Sequence, residues 1–184
     1  MSMSELPSYE EVLAFWKEAG PEKWYQKDDE FDAAMTRRFA GLHAAAAAGE
    51  LSRWQDSPDS CLALVLVLDQ FSRNMFRNSA KAFAQDAQAL AIAGEAIERG
   101  YDRKVDEEIH QFFYLPFMHD ESLASQDRSL LLQHGTGNES GLKFAIIHRD
   151  IIVRFGRFPH RNPVLGRHTT PAEQAFLEEG GFSG

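Results

Sequence analysis

Residues 148 to 167, HRDIIVRFGRFPHRNPVLGR, hold five arginines, two histidines and one aspartate among isoleucine, phenylalanine and leucine. A guanidinium offers several N–H donors in a fixed planar fork, a shape that grips a carboxylate or a phosphate. An imidazole changes protonation near neutral pH and so suits proton transfer. With histidine neutral the segment carries a formal charge of +4, while the whole chain carries −9, so the remainder carries −13. Such a concentration of cations has three explanations. The arginines clamp the protein's own carboxylates and helix ends, satisfying a loop that lacks backbone pairing; or some of them hold an anionic ligand; or they form a docking surface for a protein.

Three further stretches put charge inside apolar sequence. In LDQFSRNMFR, residues 68 to 77, Asp69 follows the apolar run Cys61 to Leu68 and so sits at the core's edge. Arg73 lies one helical turn later, within pairing distance, and a partly buried carboxylate needs such a partner. The pair is either structural, or Asp69 orients Arg73 or Arg77 toward a ligand. In FFYLPFMHDE, residues 112 to 121, Pro116 re-aims the chain just before His119, Asp120 and Glu121. His119 reads as a general base, a metal ligand or a hydrogen-bonded core histidine. In QDRSLLLQH, Gln126, Asp127 and Arg128 stand near a helix start. An acid is favoured there in any protein, so surface solvation is the expectation for all three. In the arginine-rich segment itself, Phe144, Ile147 and Ile151 form one helical face that Phe155 extends, with His148 beside it. Asp150 precedes Arg154 by one turn, a pairing geometry. Beyond Gly156 two prolines and a glycine impose an irregular course on the stretch that carries Arg157, His160, Arg161 and Arg167.

Other chemistries find less support. His119, Glu121, His148, Asp150 and His160 are metal-ligand types, but no HExxH occurs, and His148 and Asp150 diverge on a helix. No metal and no cofactor is therefore expected. GxSxG, GxGxxG and Walker signatures are absent. The acidic balance argues against a nucleic-acid partner. A single cysteine, Cys61, excludes an internal disulfide and fits a reducing compartment. The N-terminus has no apolar signal core and no apolar run is long enough for a membrane span, so a soluble, cytoplasmic protein is expected.

The elements that must position these groups read as helices throughout. Ser8 and Glu11 form a capping-box pattern, and Gly20-Pro21 stops the first helix. A second starts at Asp28 or Asp29 and closes at Gly49. Ser57-Pro58 opens a third through CLALVLVLDQF. Residues 79 to 99 read as one long amphipathic helix. The stretch VDEEIHQFFYLPFMH reads as a helix bent or ended by Pro116. Residues 122 to 134 give a helix stopped at Gly135, and Asn138 caps the next, which runs to Phe155. Thr170-Pro171-Ala172-Glu173 starts a short last helix. The expectation is one all-α domain over residues 1 to 184, about eight helices in antiparallel hairpins, with no strict internal repeat.

LDQFSRNMFR, FYLPFMHDE, the QDR triplet and HRDIIVRFGRFPHRN followed by LGR together resemble a bacterial family catalogued as domain of unknown function 924. VLAFW, WYQKDDEFD and TPAEQAFL extend the resemblance over nearly the whole chain. His119-Asp120-Glu121 departs from the family pattern, in which serine is usual at the middle position. The resemblance implies an all-helical, tetratricopeptide-like packing; it supplies no activity, substrate or catalytic residue.

The reading that follows is a polar centre that gathers Asp69, Arg73, His119, Glu121, His148, Arg154, Arg157, His160 and Arg161, with Arg77 close to it. Its arginines would hold a small carboxylate or phosphate compound. His119 or His148 would be the proton-transfer group, oriented by Glu121 or Asp150. The alternative is a non-enzymatic helical scaffold that docks a peptide or protein.

Overall fold

The computed structural model describes residues 6–182, which contain helices and turns and no strand. The described chain forms two compact units. One holds the residues up to Arg77 together with Lys81–Pro116, the other Asn78–Ala80 and the residues from Phe117 onward. No helix among the described residues is long and apolar enough to cross a membrane.

The first unit is built on α1 (Tyr9–Trp24), α2 (Asp29–Ala47), α3 (Pro58–Leu66), α4 (Ser72–Met75) and α5 (Asp86–Glu98). Ser8 and Glu11 make the reciprocal capping box at the start of α1, and the Asp28 carboxylate accepts from the Glu30 and Phe31 amides at the start of α2. At Gly20 the backbone leaves the helical region (φ 68°, ψ 176°), so Gly20-Pro21 stops the first helical segment as its sequence implies, and a second, short segment continues to Trp24 within α1. Every residue of α3 from Ser60 to Leu66 is buried, as a helix apolar on all sides requires. Around it Trp16 meets the Phe112 ring edge-on at 5.3 Å, and Phe39 packs on Phe71 at 5.3 Å.

Between α3 and α4 the chain widens into a π-helical turn, Val67–Phe71, that carries Asp69 and Gln70. Asp69 is therefore not at the core's edge but inside, 1% exposed. Two other expectations are corrected in this unit. The helix foreseen from residue 79 begins only at Asp86, after a 3-10 turn at Ala80–Phe83. In the stretch before His119, a 3-10 turn at His110–Phe113 precedes α6 (Leu115–His119), so Pro116 stands in the first turn of a helix instead of ending one.

The second unit is an antiparallel hairpin of α7 (Leu123–Thr136) and α8 (Glu139–Phe155), followed by a 3-10 turn at Pro159–Arg161 and α9 (Pro171–Glu178). Helix α7 runs through Gly135 and stops at Gly137, whose left-handed backbone (φ 70°) suits glycine. Asn138 then caps α8 through the Gly141 amide. Gly141 is fixed by packing, because a Cβ there would fall 2.5 Å from Gln133 Oε1. The buried stripe of α8 is Ala145, His148, Ile151 and Ile152, whereas Phe144 is 46% exposed. The helix is thus turned from the expected face, so that its small residues meet α7 and His148 points inward.

Arg73 binds both the buried Asp69 (3.0 Å) and Asp86 (2.8 and 2.9 Å). Arg73→Met removes that cation from a carboxylate already desolvated, and is expected to lower stability by about 3 kcal/mol, read as a lower urea midpoint at pH 7. A midpoint unchanged from wild type would contradict this.

Candidate functional site

In the second unit, three stretches separated in sequence converge. The segment after Gly156 satisfies part of its backbone through short turns, and two carboxylates hold what the turns leave. Glu173, 2% exposed, caps α9 by accepting from the Thr170 amide at 2.8 Å. The same carboxylate receives Arg157 through two hydrogen bonds of 2.6 and 2.8 Å. Arg157 also donates to the His168 carbonyl at 2.6 Å, tying the two ends of the loop. The Arg157 guanidinium holds the Glu173 carboxyl down at about 2, against the opposing effect of burial.

Glu121 is the second clamp. It accepts from the Phe158 amide at 2.7 Å and from both terminal nitrogens of Arg167 at 2.7 and 3.0 Å. Burial alone would raise its carboxyl; the Arg167 guanidinium and the Phe158 N–H outweigh burial and lower it. Arg167 reaches on to the Asn162 side chain at 2.9 Å and the Phe158 carbonyl at 3.0 Å. With these bonds Glu121 acts as a structural clamp on the loop.

Once the segment is fixed, its 3-10 turn presents His160 and Arg161 toward α8. Arg161, 6% exposed, donates to the His119 carbonyl at 2.9 Å and lies 4.6 Å over the Phe158 ring. His148 packs against Phe158 at 5.5 Å and against Phe182, beyond α9, at 4.5 Å. His160 lies 5.6 Å from the same Phe182 ring. The His148 Nδ1 donates to the Phe144 carbonyl at 2.8 Å. A carbonyl can only accept, so the proton sits on Nδ1 and Nε2 carries the lone pair. Burial drives the His148 imidazolium down to about 3; the positive charge of His119, Arg161 and His160 adds to this, and the Phe144 carbonyl opposes it.

The remaining expected residues are placed as follows. Arg154 lies 4.6 Å over the Phe155 ring and 5.6 Å over Phe176, and no ion pair joins it to Asp150 among the described residues. Asp69, Arg73 and Arg77 belong to the first unit. There Arg77 pairs with Asp32, which also accepts from Asn74 at 2.7 Å. Of the QDR triplet only part is at the surface. Asp127 pairs with Arg149 at 2.6 Å, but Gln126 is fully buried and donates to the Met118 and Asp120 carbonyls at 2.8 and 2.7 Å, closing the end of α6. Among the described residues no group of three metal-ligating side chains is arranged to hold an ion.

Several participants escaped the sequence reading. From the sequence Glu173 reads only as a cap, Phe182 and Asp86 carry no signal, and Asp32 lies in the WYQKDDEFD stretch with nothing to mark its partner. His43 Nε2 lies 2.7 Å from Ser72 Oγ in the first unit, a pair that suggests a nucleophile and its base. Ser72, however, donates its proton to the Leu68 carbonyl at 2.6 Å. His43 is therefore the donor in the pair, the reverse of base activation. A polar seam also runs along α7: Ser129 and Gln133 are buried, and the Ser129 hydroxyl and both Gln133 amide atoms lack a hydrogen-bond partner among the described residues. The spacing of Gln126, Ser129 and Gln133 on one face of α7 was the available signal.

Comparison with known proteins agrees with the fold. A family model described as "Bacterial protein of unknown function (DUF924)" matches residues 12–181. A solved structure titled "Structure of Protein of Unknown Function ATU0120 from Agrobacterium tumefaciens" is 49% identical, covering 94% of this chain and 97% of that one, with a TM-score of 0.90. No curated protein matches the chain.

The histidine makes a testable contribution to acid sensitivity. With the His148 value depressed to about 3, the unfolded chain binds its proton first, near the ordinary value of about 6.5. The stability present above that pH is lost progressively as pH falls from there toward about 3. His148→Gln is expected to flatten the fall in melting temperature between about pH 6.5 and pH 5, above the range where Glu121 and Glu173 titrate. Thermal melts at the two pH values check this; an equally steep fall in the variant would contradict it.

Proposed function

The chain belongs to the bacterial family of unknown function DUF924, and within it we propose that the second unit binds a small anion, a carboxylate or phosphate compound, beside His148. The observation that carries this reading is the gathering of the buried His148 with His160 and Arg161 around the Phe158 ring, 5.5, 5.8 and 4.6 Å from its centre, with Arg161 held on the His119 carbonyl. The charges of this cluster disfavour the His148 imidazolium. Like charges converging on a desolvated site are relieved by a bound anion more than by anything else of similar size. Arg161 supplies the guanidinium, its position fixed by the His119 carbonyl and the Phe158 ring. Arg157 and Arg167 act one step back, holding the loop through Glu173 and Glu121. Arg73 and Arg77 are matched to carboxylates of the first unit and take no part.

The proton-handling capacity of such a site rests on His148. Its Nε2 lone pair is the acceptor, and burial, with the nearby cations adding to it, holds its basicity low. An anion placed beside it favours the imidazolium, so binding takes up a proton and tightens as pH falls. A reaction that needs a base at this position would therefore proceed only with an anionic substrate bound.

The test is thermal stability with inorganic phosphate and with malonate as probes. Either anion is expected to raise the melting temperature of the wild type, by the equivalent of about 2.7 kcal/mol when present at a hundred times its dissociation constant. Arg161→Gln and His148→Gln are each expected to lose most of that shift while still melting cooperatively without ligand. If neither anion moves the wild-type transition, the proposal fails.

A further inference from the structure

Helix α8 has a second face, opposite the buried stripe, that the anion site does not use. Its middle is Ile146, 46% exposed, and Ile147, half-buried, with Val153 (58% exposed) along one edge. A shallow groove on this face is lined by Glu139, Leu142, Lys143, Ile146 and Ile147. Glu139, Lys143, Asp150 and Arg154 are all exposed on the same face, because their spacing follows the helical repeat. Two of these could pair along the helix with the residue one turn on. Yet no ion pair joins Glu139 to Lys143 or Asp150 to Arg154 among the described residues. Arg154 lies 4.6 Å over the Phe155 ring and 5.6 Å over that of Phe176.

The order of signs along this face is self-complementary. About the point midway between Ile146 and Ile147, Lys143 and Asp150 lie equally far on either side, and so do Glu139 and Arg154. A two-fold axis through that point brings an antiparallel copy of the helix into register with itself. Lys143 then meets Asp150 of the second copy, Glu139 meets Arg154, and the isoleucines fill the centre. Each contact occurs twice, as an isologous interface demands. A run of charges placed only for solvation has no reason to reverse its sign about an apolar centre.

From this pattern we infer that the outer face of α8 pairs with the same face of a second copy of this chain, through apposed Ile146–Ile147 and four reciprocal ion pairs. One pair of helices buries less than the roughly 1,000 Å² usual for a stable interface. The dimer is therefore weak and concentration-dependent, with charge setting its register more than its strength.

Sedimentation equilibrium of the full chain tests it. The average mass of the wild type rises above the 20.8 kDa of one chain as concentration increases. Lys143→Asp opposes two acids across the axis and weakens self-association by about tenfold or more; Asp150→Lys opposes two lysines and does the same. Mixed in equal amounts, the two single variants again present opposite charges and associate about as tightly as wild type. The double variant Lys143→Asp/Asp150→Lys regains association with itself. A wild type that stays monomeric up to about 0.5 mM overturns the inference. So do single variants that associate as tightly as wild type, and single variants that gain nothing on mixing when the double variant gains nothing either.

Discussion

The second unit depends on the problem of burying an irregular backbone. Between α8 and α9 the chain passes two prolines, and its turns, such as the Arg161 amide on the Phe158 carbonyl and the Arg167 amide on the Asn162 carbonyl, satisfy only part of its amides and carbonyls. Glu173 and Glu121 meet that need by pinning Arg157 and Arg167, which in turn hold the His168 and Phe158 carbonyls and the Asn162 side chain. Each carboxylate is matched on both oxygens, a condition under which a largely buried ion pair is tolerated. Arg161 and His160 reach their positions beside α8 only because this frame is fixed.

The first unit uses the same device for a different purpose. There the charged pairs lie at a π-helical turn, where Asp69 is drawn inside and must be met by Arg73 and the Gln70 amide. Arg73 also binds Asp86 at the start of α5, so one guanidinium joins two helical segments. The acidic remainder of the chain is thus not only solvating surface. Part of it supplies the acceptors that the scattered arginines require, and this accounts for much of the cationic concentration in an otherwise acidic sequence.

What was legible beforehand was local. The caps at Ser8, Asp28, Asn138 and Thr170 depend on residues within one turn, and each forms as its pattern implies. The burial of the third helix follows from an unbroken apolar run. Pro116 was ambiguous for a physical reason: proline is excluded from a helix interior but welcome in its first turn, and the sequence does not say on which side the helix lies. The inward turn of His148 was hidden because small residues, Gly141 and Ala145, define the packed stripe of α8, while the larger Phe144 draws the eye to the wrong face. The partners of the arginines were illegible because they are distant in sequence; nothing local links Glu121 to Arg167 or Asp32 to Arg77.

The protonation of His148 carries the functional reading, since its neighbours' charge and the fixed loop both bear on it. Long-range proton–nitrogen NMR of the imidazoles observes it directly. The account predicts one histidine that remains the neutral Nδ1–H tautomer below about pH 5 and gains a proton at higher pH once phosphate is added. A chain in which every histidine titrates near the ordinary value, with no response to phosphate, would contradict it.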